Sequence, residues 1–233
     1  MDLFGPSRTM SLGGNIYGLD VVDDYSRYTW TFFLHTKKDA YSEFKKLARK
    51  LQNTCCNNIG LIRSDHGGEF QNEKFISFSA PRTPQQNGVV ERKNRSLEEL
   101  ARIILNDFGL PKWFWANAVS TTCYVMNRVL IRPILKKTPY ELLNGRKPNV
   151  SHLEVFGCKC YVLNNGKEIL GMFDAKSDKG IFLGYSLNSH AYRVFNKKLM
   201  TVEESIHVIF YETNNCEQAT GKINTEEDDQ NIF

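Results

Sequence analysis

The sequence predicts an α/β domain that passes through a run of helices into a small all-β barrel. Three observations carry this. An antiparallel hairpin is followed at once by an amphipathic helix; the longest helical pattern comes late in the first half; and beyond residue 153 the pattern changes to short strands separated by turn residues. A chain of 233 residues with 41% hydrophobic and 12% aromatic content can bury one sizeable core and a second small one.

Taken in order, Asp2 stands in a short strand that Gly5-Pro6 turns at once, leaving almost no strand before it. Residues 16–23 and 28–34 are β-branched and aromatic runs separated by Asp24-Tyr25-Ser26-Arg27, which predicts an antiparallel hairpin. Asp23 and Asp24 then have a turn role in preference to a catalytic one. Over 38–52 the apolar residues Ala40, Phe44, Leu47, Ala48 and Leu51 recur at helical spacing, with Lys and Arg on the other face. Residues 59–62 form an apolar run leading to Asp65 and Gly67-Gly68, which places Asp65 at a strand's carboxyl end, where ligands gather in open α/β sheets.

Residues 72–78 start a further helix, and there the chain runs short. A helix followed by a strand needs about a dozen residues before the strand begins, and too few separate Asp65 from Pro81. One strand is therefore expected to be missing. The polar, Pro-punctuated stretch 79–87 leads into the longest helical pattern, 88–106, with Leu97, Leu100, Ala101, Ile104 and Leu105 inward and Glu91, Arg95, Glu98 and Arg102 on a polar stripe. Pro111 opens another helix over 112–128, whose aromatic residues read as packing rather than a base-stacking platform. A short helix over 138–143 and a basic linker, Arg146-Lys147-Pro148, precede the β segment with strands at 155–163, 179–185, 191–196 and 205–210.

Charge is unevenly spread. Residues 88–150 hold eleven Lys or Arg against five Asp or Glu, whereas 212–233 hold six acids against one Lys. A basic middle suits a polyanion, and the acidic end reads as a solvated tail. The six cysteines show no CxxC pair, so neither a zinc site nor a disulfide framework is signalled. Cys158 and Cys160 would share one face of a strand as small core residues. No signal peptide or apolar run of transmembrane length is seen, so an intracellular protein without a membrane partner is expected.

Two carboxylates on strands, Asp2 and Asp65, and one on a helix, Glu91, beside a basic loop suit two-metal phosphoryl transfer with hard cations. The motifs Met-Asp-Leu-Phe-Gly-Pro, Val-Asp-Asp-Tyr-Ser-Arg-Tyr, Arg-Ser-Asp-His-Gly-Gly-Glu-Phe and Ser-Ala-Pro-Arg-Thr-Pro-Gln-Gln-Asn-Gly-Val-Val-Glu-Arg-Lys-Asn make the pattern specific. With Leu-Pro-Lys-Trp-Phe-Trp-Ala, Thr-Pro-Tyr-Glu-Leu-Leu and Phe-Gly-Cys-Lys-Cys-Tyr-Val, they resemble the integrase catalytic core of copia-type LTR retrotransposon polyproteins.

The resemblance implies an RNase H-like integrase core with a mixed sheet over 1–110, lacking about ten residues near 78/79. It further implies a helical extension and basic linker over 111–150, an SH3-like β-barrel over 151–212 and an acidic disordered tail over 213–233. It puts Asp2, Asp65 and Glu91 in the places of the DDE metal ligands, for Mg2+ or Mn2+. Gln85, Gln86, Asn87, Arg92, Lys93, Asn94 and Arg95 fall in the region that meets the element's DNA ends. The implied partners are element-end DNA, target DNA and further copies of the chain, in the nucleus. The implied reaction is attack by water near a DNA 3′ end, then attack by the freed 3′ hydroxyl on a target phosphodiester.

Two departures bear on activity. The resemblance calls for roughly 35 residues between the second Asp and the Glu, and here residues 66–90 supply 25. Only Met1 precedes Asp2. A metal site relies on its supporting structure to hold its ligands. The expectation is a degenerate integrase-like enzyme, inactive as the chain stands, with a non-catalytic nucleic-acid-binding remnant as the alternative.

Overall fold

The computed structural model describes residues 1–55, 59, 61–64, 88–164 and 175–211. The chain opens with a three-stranded antiparallel meander, β1 (Asp2–Phe4), β2 (Tyr17–Val22) and β3 (Thr29–Leu34). The expected turn joins β2 to β3. Asp23 Oδ2 accepts from Ser26 N at 2.7 Å and Ser26 Oγ at 2.6 Å, and Asp24 pairs with Arg27.

Register gives the sheet its two faces, because side chains alternate along each strand. Leu3 pairs with Leu19 and Leu19 with Phe32; on this face, with Met1 and Leu34, they meet Ala40, Phe44 and Ala48 of α1 (Ala40–Cys55). Ile59 and Ile62, from the run expected as a strand, join the same cluster. The opposite face carries two rows, Phe4, Gly18 and Phe33, and Asp2, Asp20 and Thr31. Gly18 has no room for a side chain, since a Cβ there would lie 2.1 Å from Phe4 Cζ. Phe4 and Phe33 in turn meet Trp115 edge-on, at 6.3 and 5.4 Å between ring centroids.

That second face is covered by α2 (Gly88–Asp107) and α3 (Trp115–Val129). Val90, Asn94, Leu97, Ala101 and Leu105 form the buried stripe of α2 at steps of four, three, four and four. Leu100, expected inward, is 39% exposed. The helix ends at Gly109 (φ 56°), with Leu110 N donating to Leu105 O at 2.9 Å and Pro111 following. The next helix is buried on nearly all sides because it has sheet on both flanks. Asn127 holds Thr29 of β3 through Oδ1 and Nδ2 at 3.0 and 2.8 Å, and Thr121 Oγ1 donates to Leu183 O at 2.9 Å on the other flank. The short α4 (Pro139–Asn144) starts in a capping box between Thr138 and Glu141 and ends at Gly145 in the left-handed conformation.

The C-terminal segment departs from expectation. Its strands β4 (Lys159–Leu163), β5 (Ser177–Tyr185), β6 (Tyr192–Asn196), β7 (Thr201–Ser205) and β8 (Val208–Phe210) make one antiparallel sheet in the order β7-β6-β5-β4-β8. It is not the closed SH3-like β-barrel that the sequence predicts. The two-residue link 206–207 carries the chain from one edge of this sheet to the other, yet among the described residues β7 pairs only with β6 and β8 only with β4. With no ladder between β7 and β8, the sheet does not close on itself. The α/β part of the expected fold class is supported; the barrel is not.

The register of β5 against β6 shifts between Phe182 and Gly184, and α3 seats there. The largest apolar cluster accordingly runs from α2 (Leu97, Ala101, Leu105) through α3 (Ala118, Val119, Met126) to Ile181, Leu183 and Phe195. Cys160 lies in a second cluster with Val162, Phe182 and Val194, as its strand alternation predicts. The segment around 78/79 and the acidic tail over 213–233 lie outside the described residues.

Candidate catalytic and nucleic-acid-binding site

Asp2 is a half-buried member of a polar row that runs across the sheet under α2. Its cross-strand neighbour is Asp20, and Asp20 faces Thr31. From the helix, the buried Asn94 donates through Nδ2 to Asp2 Oδ2 at 2.9 Å. One turn earlier, on the neighbouring polar stripe, Glu91 is exposed in the first turn of α2, where a carboxylate suits the helix dipole. One turn later, Glu98 is half-buried, and burial, reinforced by the charge of Asp2 against the opposing pull of Arg102, raises its carboxyl above the ordinary range.

Asp20 is fully buried, and burial pushes its carboxyl up to about 7. Thr31 Oγ1 donates to Asp20 Oδ1 at 2.6 Å and opposes the rise, as does Lys93, whereas Asp2 and Glu98 add to it. Asp20 Oδ2 and Asn94 Oδ1 are both buried without a hydrogen-bond partner among the described residues. Lys93 is turned inward, and burial lowers its ammonium below the ordinary lysine value while Cys123 and Asp20 hold it up. The thiol of Cys123 beneath them is pushed up to about 12 by burial, with Asp20 adding, and donates to Thr29 O at 3.3 Å.

The row brings together two of the residues expected to serve the site, Asp2 and Asn94, which are in contact. Glu91 stands one turn before Asn94 on the exposed polar stripe of α2. Arg92 and Arg95 project to solvent from the same helix, whereas Lys93 and Asn94 face inward. Asp65, Gln85, Gln86 and Asn87 lie outside the described residues. Among the described residues no three His, Cys, Asp or Glu side chains gather as a metal-binding group. Asp2 and Glu91 are hard oxygen donors of the kind Mg2+ takes, and Asp2 already spends one oxygen on Asn94.

Sequence reasoning missed Asp20 and the inward lean of Glu98. The signal for Asp20 was one acid inside Gly-Leu-Asp-Val-Val, an apolar run that a solvent-facing acid would interrupt at only one of its two faces. For Glu98 it was the seven-residue step from Glu91, which returns to the same helix face.

Comparison with known proteins adds descent to this geometry. Residues 158–223 match the model of the retroviral polymerase SH3-like domain. The chain is 34% identical over 222 residues to the Retrovirus-related Pol polyprotein from transposon TNT 1-94 of Nicotiana tabacum, with 91% of this chain and 17% of that protein covered. It is 36% identical over 213 residues to the Retrovirus-related Pol polyprotein from transposon RE1 of Arabidopsis thaliana, covering 86% of this chain and 14% of the relative. The chain therefore spans under a fifth of the length of these relatives. Among solved structures, the simian T-cell lymphotropic virus intasome in complex with PP2A regulatory subunit B56 gamma is 16% identical, with 92% of this chain and 79% of that chain covered at a TM-score of 0.46. The HTLV-2 integrase catalytic core domain in complex with magnesium is 18% identical, with 60% of this chain and 93% of that chain covered at a TM-score of 0.42. At these TM-scores neither structural likeness bears on the site.

Proposed function

Because this chain belongs to the Pol polyproteins of Ty1/copia-type retrotransposons, with their integrase-like core and SH3-like domain, we propose that it is a degenerate integrase-like protein of the DDE polynucleotidyl transferase class, descended from a DNA-integration enzyme and still able to bind nucleic acid. The observation that supports this reading is the contact from Asn94 to Asp2, which ties the helix that carries Glu91 to the strand that carries Asp2. Asp2, Glu91 and, by resemblance, Asp65 would hold Mg2+ or Mn2+, which when bound supplies the charge that phosphoryl transfer needs. Asp65 lies outside the described residues, and among the described ones no three such donors gather. The chain's own contribution is otherwise electrostatic. Arg92 and Arg95 project from α2 beside Glu91 and would bind the phosphates of an element-end DNA with little base reading. By descent the protein would act in the nucleus.

The test is incubation of the purified chain with labelled LTR-end DNA and Mg2+ or Mn2+, alongside duplex binding at several salt concentrations. The expected result is salt-dependent binding that weakens in R92Q/R95Q, with no 3′ processing and no strand transfer. Strand transfer would overturn the degenerate reading. Binding indifferent to salt and to Arg92 and Arg95 would overturn the nucleic-acid reading.

A further inference from the structure

The helix on the back of the first sheet is strongly and one-sidedly basic. Ala40, Phe44 and Ala48 pack on the sheet, with Leu47 and Leu51 on the same stripe; at 100° per residue Arg49 and Lys46 fall nearest the ridge opposite, Lys45 and Lys50 lie on its two sides, and Lys38 stands in the turn that leads into the helix. All five cations are exposed. The acids of this segment are already engaged: Asp39 accepts from Thr36 N and Oγ1 at 2.9 Å, and Glu43 binds Lys46 at 2.6 Å. Among the described residues Lys38, Lys45, Arg49 and Lys50 form no salt bridge. A helix whose outer face served solubility alone would interleave both signs.

This ridge is on the wrong side of the sheet to serve the Asp2 site. Leu3, Leu19 and Phe32 point to α1, while the alternate residues Asp2, Asp20 and Thr31 point to α2 and α3. The basic ridge and the Arg92/Arg95 surface are therefore separated by a layer of sheet. From Lys45 to Lys50 the cations span about 8 Å of the helix axis, and Lys38 in the preceding turn extends the row, enough to meet two or three successive phosphates of one strand.

We infer that the outer face of α1 and the turn leading into it form a second duplex-DNA contact, built from Lys38, Lys45, Arg49 and Lys50, that binds backbone phosphates independently of the surface beside Glu91. The choice of DNA among polyanions rests on the proposed function; the position, charge and freedom of the ridge do not. One chain would then carry two duplexes, one on each side of the first sheet.

The test measures how many short duplexes one chain binds, by isothermal titration at low salt. Variants are K38Q/K45Q/R49Q, R92Q/R95Q and the two combined, with unchanged Tm as the check on folding. The expected result is two duplexes for the wild type, one for each variant and none for the combination. The phase lost with α1 should have a salt slope of about −2 to −3, from roughly 0.9 per phosphate. K38R/K45R/R49K, which keeps the charge, should retain both. Unchanged stoichiometry and affinity in K38Q/K45Q/R49Q overturn the inference while the proposed function stands. Loss there with no effect of R92Q/R95Q supports the inference and moves the DNA contact away from the Glu91 helix. Absence of any duplex binding overturns both.

Discussion

Asn94 joins α2 to β1 by donating through Nδ2 to Asp2 Oδ2 at 2.9 Å, across 92 residues of sequence. The bond is charge-assisted and largely shielded from water, so it is among the stronger single contacts in the molecule. Asn94→Ala should destabilise the fold by about 1 to 2 kcal/mol, less than the full value of such a bond because the orphaned Asn94 Oδ1 is removed with it. Asn94→Asp should cost more, since it replaces the amide donor by a second carboxylate set against Asp2. Urea unfolding at neutral pH checks both.

The buried carboxyl of Asp20 makes stability depend on pH in a direction opposite to that of a salt-bridged acid. Its value rises from 3.8 to about 7 on folding, chiefly through burial. Between those limits the folded state keeps a proton that the unfolded chain has released. Its contribution is therefore fully present below pH 3.8, is lost as pH rises through about 7, and is constant above that. The slope amounts to roughly 1.4 kcal/mol per pH unit within the window. Asp20→Asn, neutral throughout, should match the wild type near pH 4 and exceed it in Tm at pH 8. A variant less stable than wild type at pH 8 would show that Asp20 is held as a needed anion.

Patterns that depend on one element were legible in the sequence, and those that depend on two were not. The hairpin at Asp23 and Asp24, the α1 stripe of Ala40 and Phe44, and the placing of Cys160 in the core follow from alternation or helical period. Asn94 and Leu100 exchange roles because the period of α2 fixes a face only to within about a residue, and an Asn turned inward becomes reasonable only once Asp2 is seen opposite it. Asp20 was passed over for the same reason: its neighbours across the strands, Asp2 and Thr31, are a matter of register. In the C-terminal sheet the strands themselves were readable from turns and alternation. Closure depends on whether β7 meets β8, which neither strand encodes alone.

The joint between α3 and the C-terminal sheet turns on Gly184. Its φ of 126° is one that side-chain-bearing residues rarely adopt, and a Cβ would lie 2.1 Å from Thr121 Oγ1. The same hydroxyl donates to Leu183 O at 2.9 Å, so helix and strand approach as closely as a hydrogen bond allows. Gly184→Ala should therefore cost about 2 to 4 kcal/mol through strain and clash together. Thr121→Ala should cost about 1 kcal/mol, and adding it to Gly184→Ala should recover part of the loss by removing the obstructing hydroxyl. A double-mutant cycle in urea measures the coupling; strictly additive losses would place the strain in the backbone alone.

Asn127 performs the corresponding task at the other flank of α3. Among the described residues β3 pairs with a strand on one side only, and Asn127 meets the backbone of Thr29 as a strand would, accepting from its N–H at 3.0 Å and donating to its C=O at 2.8 Å. Both groups are buried, so Asn127→Leu leaves the Thr29 N–H unsatisfied and its C=O with only the weak thiol donor of Cys123, and should destabilise by about 2 to 3 kcal/mol. Asn127→Asp preserves the acceptor and loses the donor, and should fall between Leu and wild type at acidic pH, where the carboxyl can donate. The consequence reaches the candidate site, because Thr31, two residues along β3, donates to Asp20 beside Asp2. Amide hydrogen exchange should therefore show faster opening at Thr29 and at the ladder amides of Trp30 and Phe32 together in Asn127→Leu. Exchange accelerated at Thr29 alone would separate the support of β3 from the polar row under α2.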